Sequence, residues 1–276
     1  MNPIPYRHYH GTGNAFAVVE AAALETDRGP FAKALCADLG LDGVLYLDLE
    51  PEAEPTEIGF RLYQPDGGTA GMCGNGARVA ARWAHEQTGE REFRIETPAG
   101  PRLATLESET RVTVEMGEPS FRPADVPVEA EEPVVEEPFE GLTITAVDTG
   151  VPHAVAFLRS VEDLDLEPAA QPIRYADRFP AGTNVTVAEY VGPGQFRQRT
   201  YERGVEGETQ SCGTGAVAIG AVAVRQGLAD PDTDLEITPP GGTLTVRIPE
   251  DGPATLTGPT AFEGEGAVEF EPGESE

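Results

Sequence analysis

Apolar and polar positions divide the chain into short alternating runs interrupted by a few helical ones. Residues 28–39 (RGPFAKALCADL) put Phe31, Leu35 and Leu39 on one helical face, with Gly40 as the stop. Cys36 lies beside that face and reads as a small buried hydrophobe. Alternation predicts strands over 43–49, 58–64, 92–97, 102–107 and 111–115, with a turn at Pro65-Asp66-Gly67-Gly68. A helix is predicted over 75–88, ending at Gly89. The second half repeats this grammar: strands over 142–147, 153–158, 184–190, 195–201, 235–238, 243–248 and 254–257, and one apolar helix over 214–226. The Pro- and Glu-rich stretch 118–141 between the halves reads as a linker or an exposed excursion.

One six-residue pattern occurs twice. Met72-Cys73-Gly74-Asn75-Gly76-Ala77 recurs as Ser211-Cys212-Gly213-Thr214-Gly215-Ala216, each time at the mouth of a predicted helix flanked by short strands. A repeated unit of this kind predicts two similar domains whose turns meet at a shared cleft.

Composition narrows the function classes. The formal net charge is −29, a surface that repels nucleic acid and anionic membranes. Arginine supplies nearly all the positive charge, since Lys33 is the only lysine. An acidic, lysine-poor but well-patterned chain suggests adaptation to high salt, where self-repulsion is screened. No apolar run has the length of a membrane helix and the start carries no signal-like segment, so a cytoplasmic location is expected. Three cysteines (Cys36, Cys73, Cys212) do not suggest a disulfide framework, and the four histidines do not pair with them at zinc-ligand spacing; no metal is expected.

The repeated turn suits acid/base chemistry. A helix N-terminus offers unpaired N–H groups and the positive end of a dipole, and glycine lets a ligand approach the backbone. Each Cys-Gly-x-Gly turn is therefore a carboxylate holder. The same field is expected to lower a thiol pKa from about 8.5 toward neutrality, where it can act as a general acid or base. Two such thiols on opposite faces of one α-carbon would remove a proton on one side and return one on the other, inverting the centre. Helix-end N–H groups would stabilise the charge that moves into the carboxylate. Pyridoxal chemistry needs a Schiff-base lysine, and Lys33 lies on an ordinary amphipathic helix, so no cofactor is expected. A dinucleotide reading of Gly213-Thr214-Gly215-Ala216-Val217-Ala218 competes, but the polar residues before it do not form a buried strand.

On these residues the chain resembles the diaminopimelate epimerases. The resemblance rests on His10-Gly11-Thr12-Gly13-Asn14, the first Cys turn through Arg78, Gly150 to Val155 around Pro152-His153, Phe179-Pro180 before Asn184-Val185, Tyr201-Glu202-Arg203-Gly204-Val205, the second Cys turn and Pro240-Gly241-Gly242. It implies an α+β fold of two pseudo-symmetric domains, each a barrel-like, mostly antiparallel sheet around a central helix. Boundaries are expected at 1–117 and 118–260, with a strand at about 261–272 returning to the first domain. It implies interconversion of LL- and meso-2,6-diaminopimelate on the way to lysine, with Cys73 and Cys212 as the base pair. Asn14, Gly74, Asn75, Gly213 and Thr214 would hold the reacting amino-acid end; Gln64, Asn184, Glu202 and Arg203 would hold the distal end. An amino acid is then the ligand, neither nucleic acid nor membrane is a partner, and a homodimer is compatible. Three positions depart from the pattern: Ala15 where Asp is usual, Gln64 for an Asn, and Val151 for another Asn. An epimerase of another amino acid, or a non-catalytic binder of the same fold, are the alternatives.

Overall fold

The computed structural model describes residues 3–270. The strands and helices run β1 (Ile4–Gly11), β2 (Asn14–Glu20), α1 (Arg28–Leu39), β3 (Gly43–Glu50), β4 (Thr56–Tyr63), β5 (Thr69–Ala70), α2 (Gly74–Thr88), β6 (Glu92–Thr97), β7 (Gly100–Ser108) and β8 (Arg111–Gly117). They continue as β9 (Glu137–Phe139), β10 (Leu142–Asp148), β11 (Pro152–Leu158), α3 (Leu166–Arg174), β12 (Asn184–Gly192), β13 (Gln195–Glu202), β14 (Gly207–Glu208), α4 (Gly213–Arg225), β15 (Asp234–Thr238), β16 (Leu244–Arg247), β17 (Ala254–Pro259) and β18 (Ala261–Val268). The chain divides into two compact units. The first takes the chain up to Val114 and again from Gly258, and the second is Glu115–Thr257.

In the first unit, strand pairing runs β18-β1-β2-β3-β4-β6-β7-β8. All neighbours are antiparallel except β2–β3 and β4–β6. Parallel neighbours need a crossover, and α1 and α2 supply the two. Helix α2 touches β1, β2, β3, β4, β6 and β7, so the sheet wraps around it. Ala77, Val79, Ala80, Ala81, Trp83 and Ala84 make α2 apolar enough to sit inside, and Gly89 ends it in a left-handed conformation. A second layer packs Phe31, Ala32, Leu35 and Cys36 of α1 on Val44 and Tyr46 of β3. Strand β18 pairs with β1 from Ile4↔Val268 to His10↔Ala261. Of the expected returning segment 261–272, residues 271 and 272 lie outside the described residues.

The second unit repeats this arrangement strand for strand. Its pairing runs β9-β10-β11-β12-β13-β15-β16-β17, antiparallel except at β11–β12 and β13–β15. Helices α3 and α4 make the crossovers, and α4 touches β10, β11, β12, β13, β15 and β16. α4 (GTGAVAIGAVAVR) is buried nearly all round, as an all-apolar helix must be. The repeat is thus an entire topology.

One expectation is corrected. Residues 118–141 are not an exposed linker: Val126, Val128 and Val134 are buried in the core of the second unit, and β9 pairs with β10. These valines, with Ala130 and Phe139 packed against the same core, anchor a segment otherwise rich in Pro and Glu. Among the described residues, no helix is long and apolar enough to cross a membrane.

Candidate active site

In the first unit, Cys73 is the residue that caps α2: its sulfur accepts from the Gly76 N–H at 3.4 Å. Gly76 packs closely under the sheet: a Cβ there would come 3.2 Å from Leu45 Cδ2 and 3.4 Å from Phe60 Cζ, so those side chains would have to give by a few tenths of an ångström. Asn75 is buried, and its amide nitrogen donates to Asn14 Oδ1 at the start of β2. Structure therefore joins Cys73, Gly74, Asn75 and Asn14 in one turn-to-strand cluster. Gln64 lies in the β4–β5 turn, where its backbone bonds Gly67 and Gly68.

Arg78, one turn into α2, closes the first Cys-turn motif, and the motif alone gives it no role. It is fully buried and donates to Thr12 Oγ1 at 2.8 Å, Asn75 Oδ1 at 2.9 Å and the Gly74 carbonyl at 3.4 Å. Burial lowers its pKa to about 10, which leaves it cationic at neutral pH.

The second unit builds the matching turn differently. Cys212 caps α4, is buried, and lies 3.4 Å from the Thr214 hydroxyl. That hydroxyl also meets His153 Nε2 at 3.0 Å, and His153 Nδ1 meets Thr186 Oγ1 at 2.9 Å. Gln198 donates to the Cys212 carbonyl and to Thr200, both at 3.0 Å. A Cβ at position 215 would fall 2.7 Å from Gln198 Nε2 and 3.1 Å from Thr200 Oγ1, so Gln198 would have to shift from its bonds to Thr200 and the Cys212 carbonyl. His153 is held neutral, its pKa pushed down to about 3 by burial and then by Arg203.

The expected lowering of the thiol pKa is corrected for Cys212. Burial and then Glu202 push it well above the ordinary value, while the Thr214 hydroxyl and Gly215 N–H pull the other way. The helix end acts in the expected direction, without a full cap hydrogen bond, and burial outweighs it.

Val151 finds an explanation in the repeat. Phe16 of β2 pairs with Gly43 as His153 of β11 pairs with Asn184, so Val151 takes the place of Asn14. Thr214 takes the place of Asn75. In the first unit the pair is amide to amide. In the second, Thr214 is satisfied by His153, and a hydrogen-bonding side chain at position 151 is not needed for it. Ala15 keeps a carboxylate partner, because its N–H donates to Asp42 Oδ2 at 2.8 Å.

Asn184 and Arg203 are also brought together. Asn184 donates to the Pro152 carbonyl at 3.0 Å and accepts from the Arg203 N–H at 2.8 Å, so its amide braces the loop that starts β13's exit. The Arg203 guanidinium meets the carbonyls of Ala181 and Gly182, and among the described residues no carboxylate lies within ion-pair distance of it. Glu202 accepts from the Thr209 hydroxyl and acts directly on Cys212. An arginine so placed suits a carboxylate, and a glutamate beside it suits an ammonium.

A family model described as diaminopimelate epimerase matches residues 6–122 and 145–263. A diaminopimelate epimerase of Methanocella arvoryzae is 39% identical over 98% of this chain and 99% of its own length. One from Archaeoglobus fulgidus is 38% identical over 92% of each chain, and one from Neisseria meningitidis is 34% identical over 96% of this chain and 99% of its own. Among solved structures, a phenazine biosynthesis protein of Bacillus anthracis superposes with a TM-score of 0.72 at 17% identity, covering 98% of this chain and all of the other. A hydroxyproline epimerase of Agrobacterium vitis gives 0.62 at 17% identity, covering 97% and 91%. At such identities these structures establish the fold alone.

Proposed function

Because this chain belongs to the diaminopimelate epimerase family, we propose that it inverts one α-carbon of 2,6-diaminopimelate, interconverting the LL and meso forms on the way to lysine. The observation that carries the mechanism is the repeat: in each unit the central helix opens on a Cys-Gly-x-Gly turn. Cys73 and Cys212 act as the two acid/base groups, one on each face of the reacting carbon. One thiolate takes the α-proton while the other thiol gives one, so the enzyme ends with the proton moved from one sulfur to the other. N–H groups of the two helix ends hold the α-carboxylate as charge moves into it during carbanion formation. Asn14, Gly74, Asn75, Gly213 and Thr214 bind this end. Glu202 and Arg203 bind the distal ammonium and carboxylate; Asn184 holds Arg203 in position, and Gln64 completes the distal end. The reaction needs no cofactor, because the thiols supply both proton transfers.

We place the enzyme in the cytoplasm of a salt-adapted cell, since its three cysteines are thiols and its charge is −29.

The test is solvent exchange. With LL-diaminopimelate in deuterated, high-salt, reducing buffer, deuterium should enter the α-position. Exchange into a different amino acid, with none into diaminopimelate, would reassign the substrate. Cys73→Ala and Cys212→Ala should each abolish turnover, and near-normal turnover in either would rule out the two-base mechanism.

A further inference from the structure

The two thiol turns share a sequence pattern but not a charge environment. Position 78 on α2 is arginine, and the matching position on α4 is Val217. Arg78 is fully exposed to protein and not at all to solvent. Its three hydrogen-bond partners are neutral: a hydroxyl, an amide oxygen and a carbonyl. Its Nε is buried without a partner, and among the described residues no carboxylate lies within ion-pair distance of it. A buried cation without a counter-charge is costly; an ionised Cys73 would favour the Arg78 charge, and the Arg111 charge opposes it.

Arg78 also fixes the polarity of its neighbours. Guanidinium is a donor only, so the Asn75 atom facing it must be the amide oxygen. That turns the Asn75 nitrogen toward Asn14, whose oxygen accepts it. The Asn14 amide nitrogen is then the end directed away from Asn75, and a donor there suits a carboxylate.

We propose that Arg78 is a positioning residue for the first thiol turn: its buried guanidinium holds Cys73 as the thiolate and fixes the direction of the Asn75–Asn14 amide pair. The second turn lacks this charge and carries Glu202 and a neutral His153 instead. The resting enzyme is therefore asymmetric, with the base at Cys73 and the proton at Cys212.

This inference rests on Cys73 being an acid/base group, but its test needs no turnover. Iodoacetamide labelling of the full chain, read at each cysteine by peptide mass spectrometry from pH 5 to 10, gives the pH midpoint of Cys73 reactivity. In the natural protein that midpoint should lie below the ordinary thiol value of about 8.5. Arg78→Met should raise it by roughly one to three units, the range for loss of a nearby opposite charge. Arg78→Lys keeps the charge and should leave it within half a unit. Buried Cys36 labels only on unfolding and so reports whether each variant is folded. A natural midpoint at or above 8.5 overturns the proposal even if Arg78→Met fails to fold. So does an unmoved midpoint in folded Arg78→Met, or an equal shift in Arg78→Lys. A moved midpoint without exchange into diaminopimelate would remove the substrate assignment and leave Arg78 standing; exchange with an unmoved midpoint would remove Arg78 alone.

Discussion

His153 shows how one buried side chain couples the site to the stability of its unit. It sits at the first rung of the parallel β11–β12 pair, with one ring nitrogen on Thr186 and the other on Thr214. Both partners are hydroxyls, which serve a neutral ring equally well as donor or acceptor. Protonation would place a charge where burial and Arg203 both oppose it, and the folded-state pKa falls from the ordinary 6.5 to about 3. The linkage has a definite sign. Below about 6.5 the unfolded chain binds a proton that the folded chain refuses, so stability is full above that value and lost as pH falls toward 3. At pH 5 the loss from this group is about 2 kcal/mol. Acidification also relieves repulsion among the carboxylates, so the comparison must isolate the histidine. Chemical denaturation of the natural protein and of His153→Gln at pH 7 and pH 5, in high salt, should show the variant losing about 2 kcal/mol less. Equal losses would mean that the ring is hydrated or charged in the folded protein. The roles of His153 and Arg78 were not legible in the sequence, where each was one letter of a motif. Their roles come from strands or turns far away in the chain: Thr186 lies 33 residues from His153, and Thr12 lies 66 from Arg78. The two cysteines were legible because the turn around them is local and occurs twice.

At the scale of elements, most strands and three helices fell where alternation and glycine stops placed them. The exceptions have physical reasons. β1 (IPYRHYHG) has only Ile4, Tyr9 and Gly11 buried, so its alternation is faint; pairing to β2 and β18 on both sides holds it. α3 (LEPAAQPIR) contains Pro172 inside the helix and reads as a breaker, yet Leu166, Ala170 and Ile173 recur at helical spacing and are buried. That helix also bears on the proposed distal end. Its last residue, Arg174, donates twice to Glu206, at 3.1 and 2.6 Å, and Tyr175 adds a bond of 2.7 Å. Glu206 in turn accepts from the Gly204 N–H at 3.0 Å, so the end of α3 clamps the loop that begins at Arg203. Glu206→Gln keeps the shape but removes the charge-assisted pairing. The expected outcome is a KM for diaminopimelate raised by roughly tenfold with kcat little changed, as for a loss of binding alone. The melting temperature should shift by only a few degrees, because the pair is partly exposed and such pairs contribute about 1 kcal/mol or less. An unchanged KM in steady-state assays would mean that the loop holds its shape without the clamp.

For the whole molecule, charge decides the conditions under which the fold persists. The chain carries 48 acidic residues against 19 lysines and arginines. Even if every basic side chain were paired, 29 carboxylates would remain in excess, so repulsion cannot be balanced from within. Ion pairs such as Arg247–Asp234 and Arg197–Glu189 include half-exposed arginines and each contribute little. Salt weakens those pairs and the repulsion together, but the repulsion is the larger sum, and its relief wins. Screening also has a characteristic range. The Debye length falls from about 10 Å at 0.1 M to about 3 Å at 1 M, after which little long-range repulsion is left to remove. The melting temperature should therefore rise by roughly 5–10 °C between 0.1 and 1 M KCl, equivalent to about 2–4 kcal/mol for a chain of this size, and then flatten. Strengthened burial of apolar surface by salt would instead keep rising steadily with concentration. Differential scanning fluorimetry in KCl, with sucrose as the uncharged control, separates the two. A melting temperature that is flat or falling up to 1 M would show that carboxylate repulsion does not limit this fold, and the reading of salt adaptation would go with it.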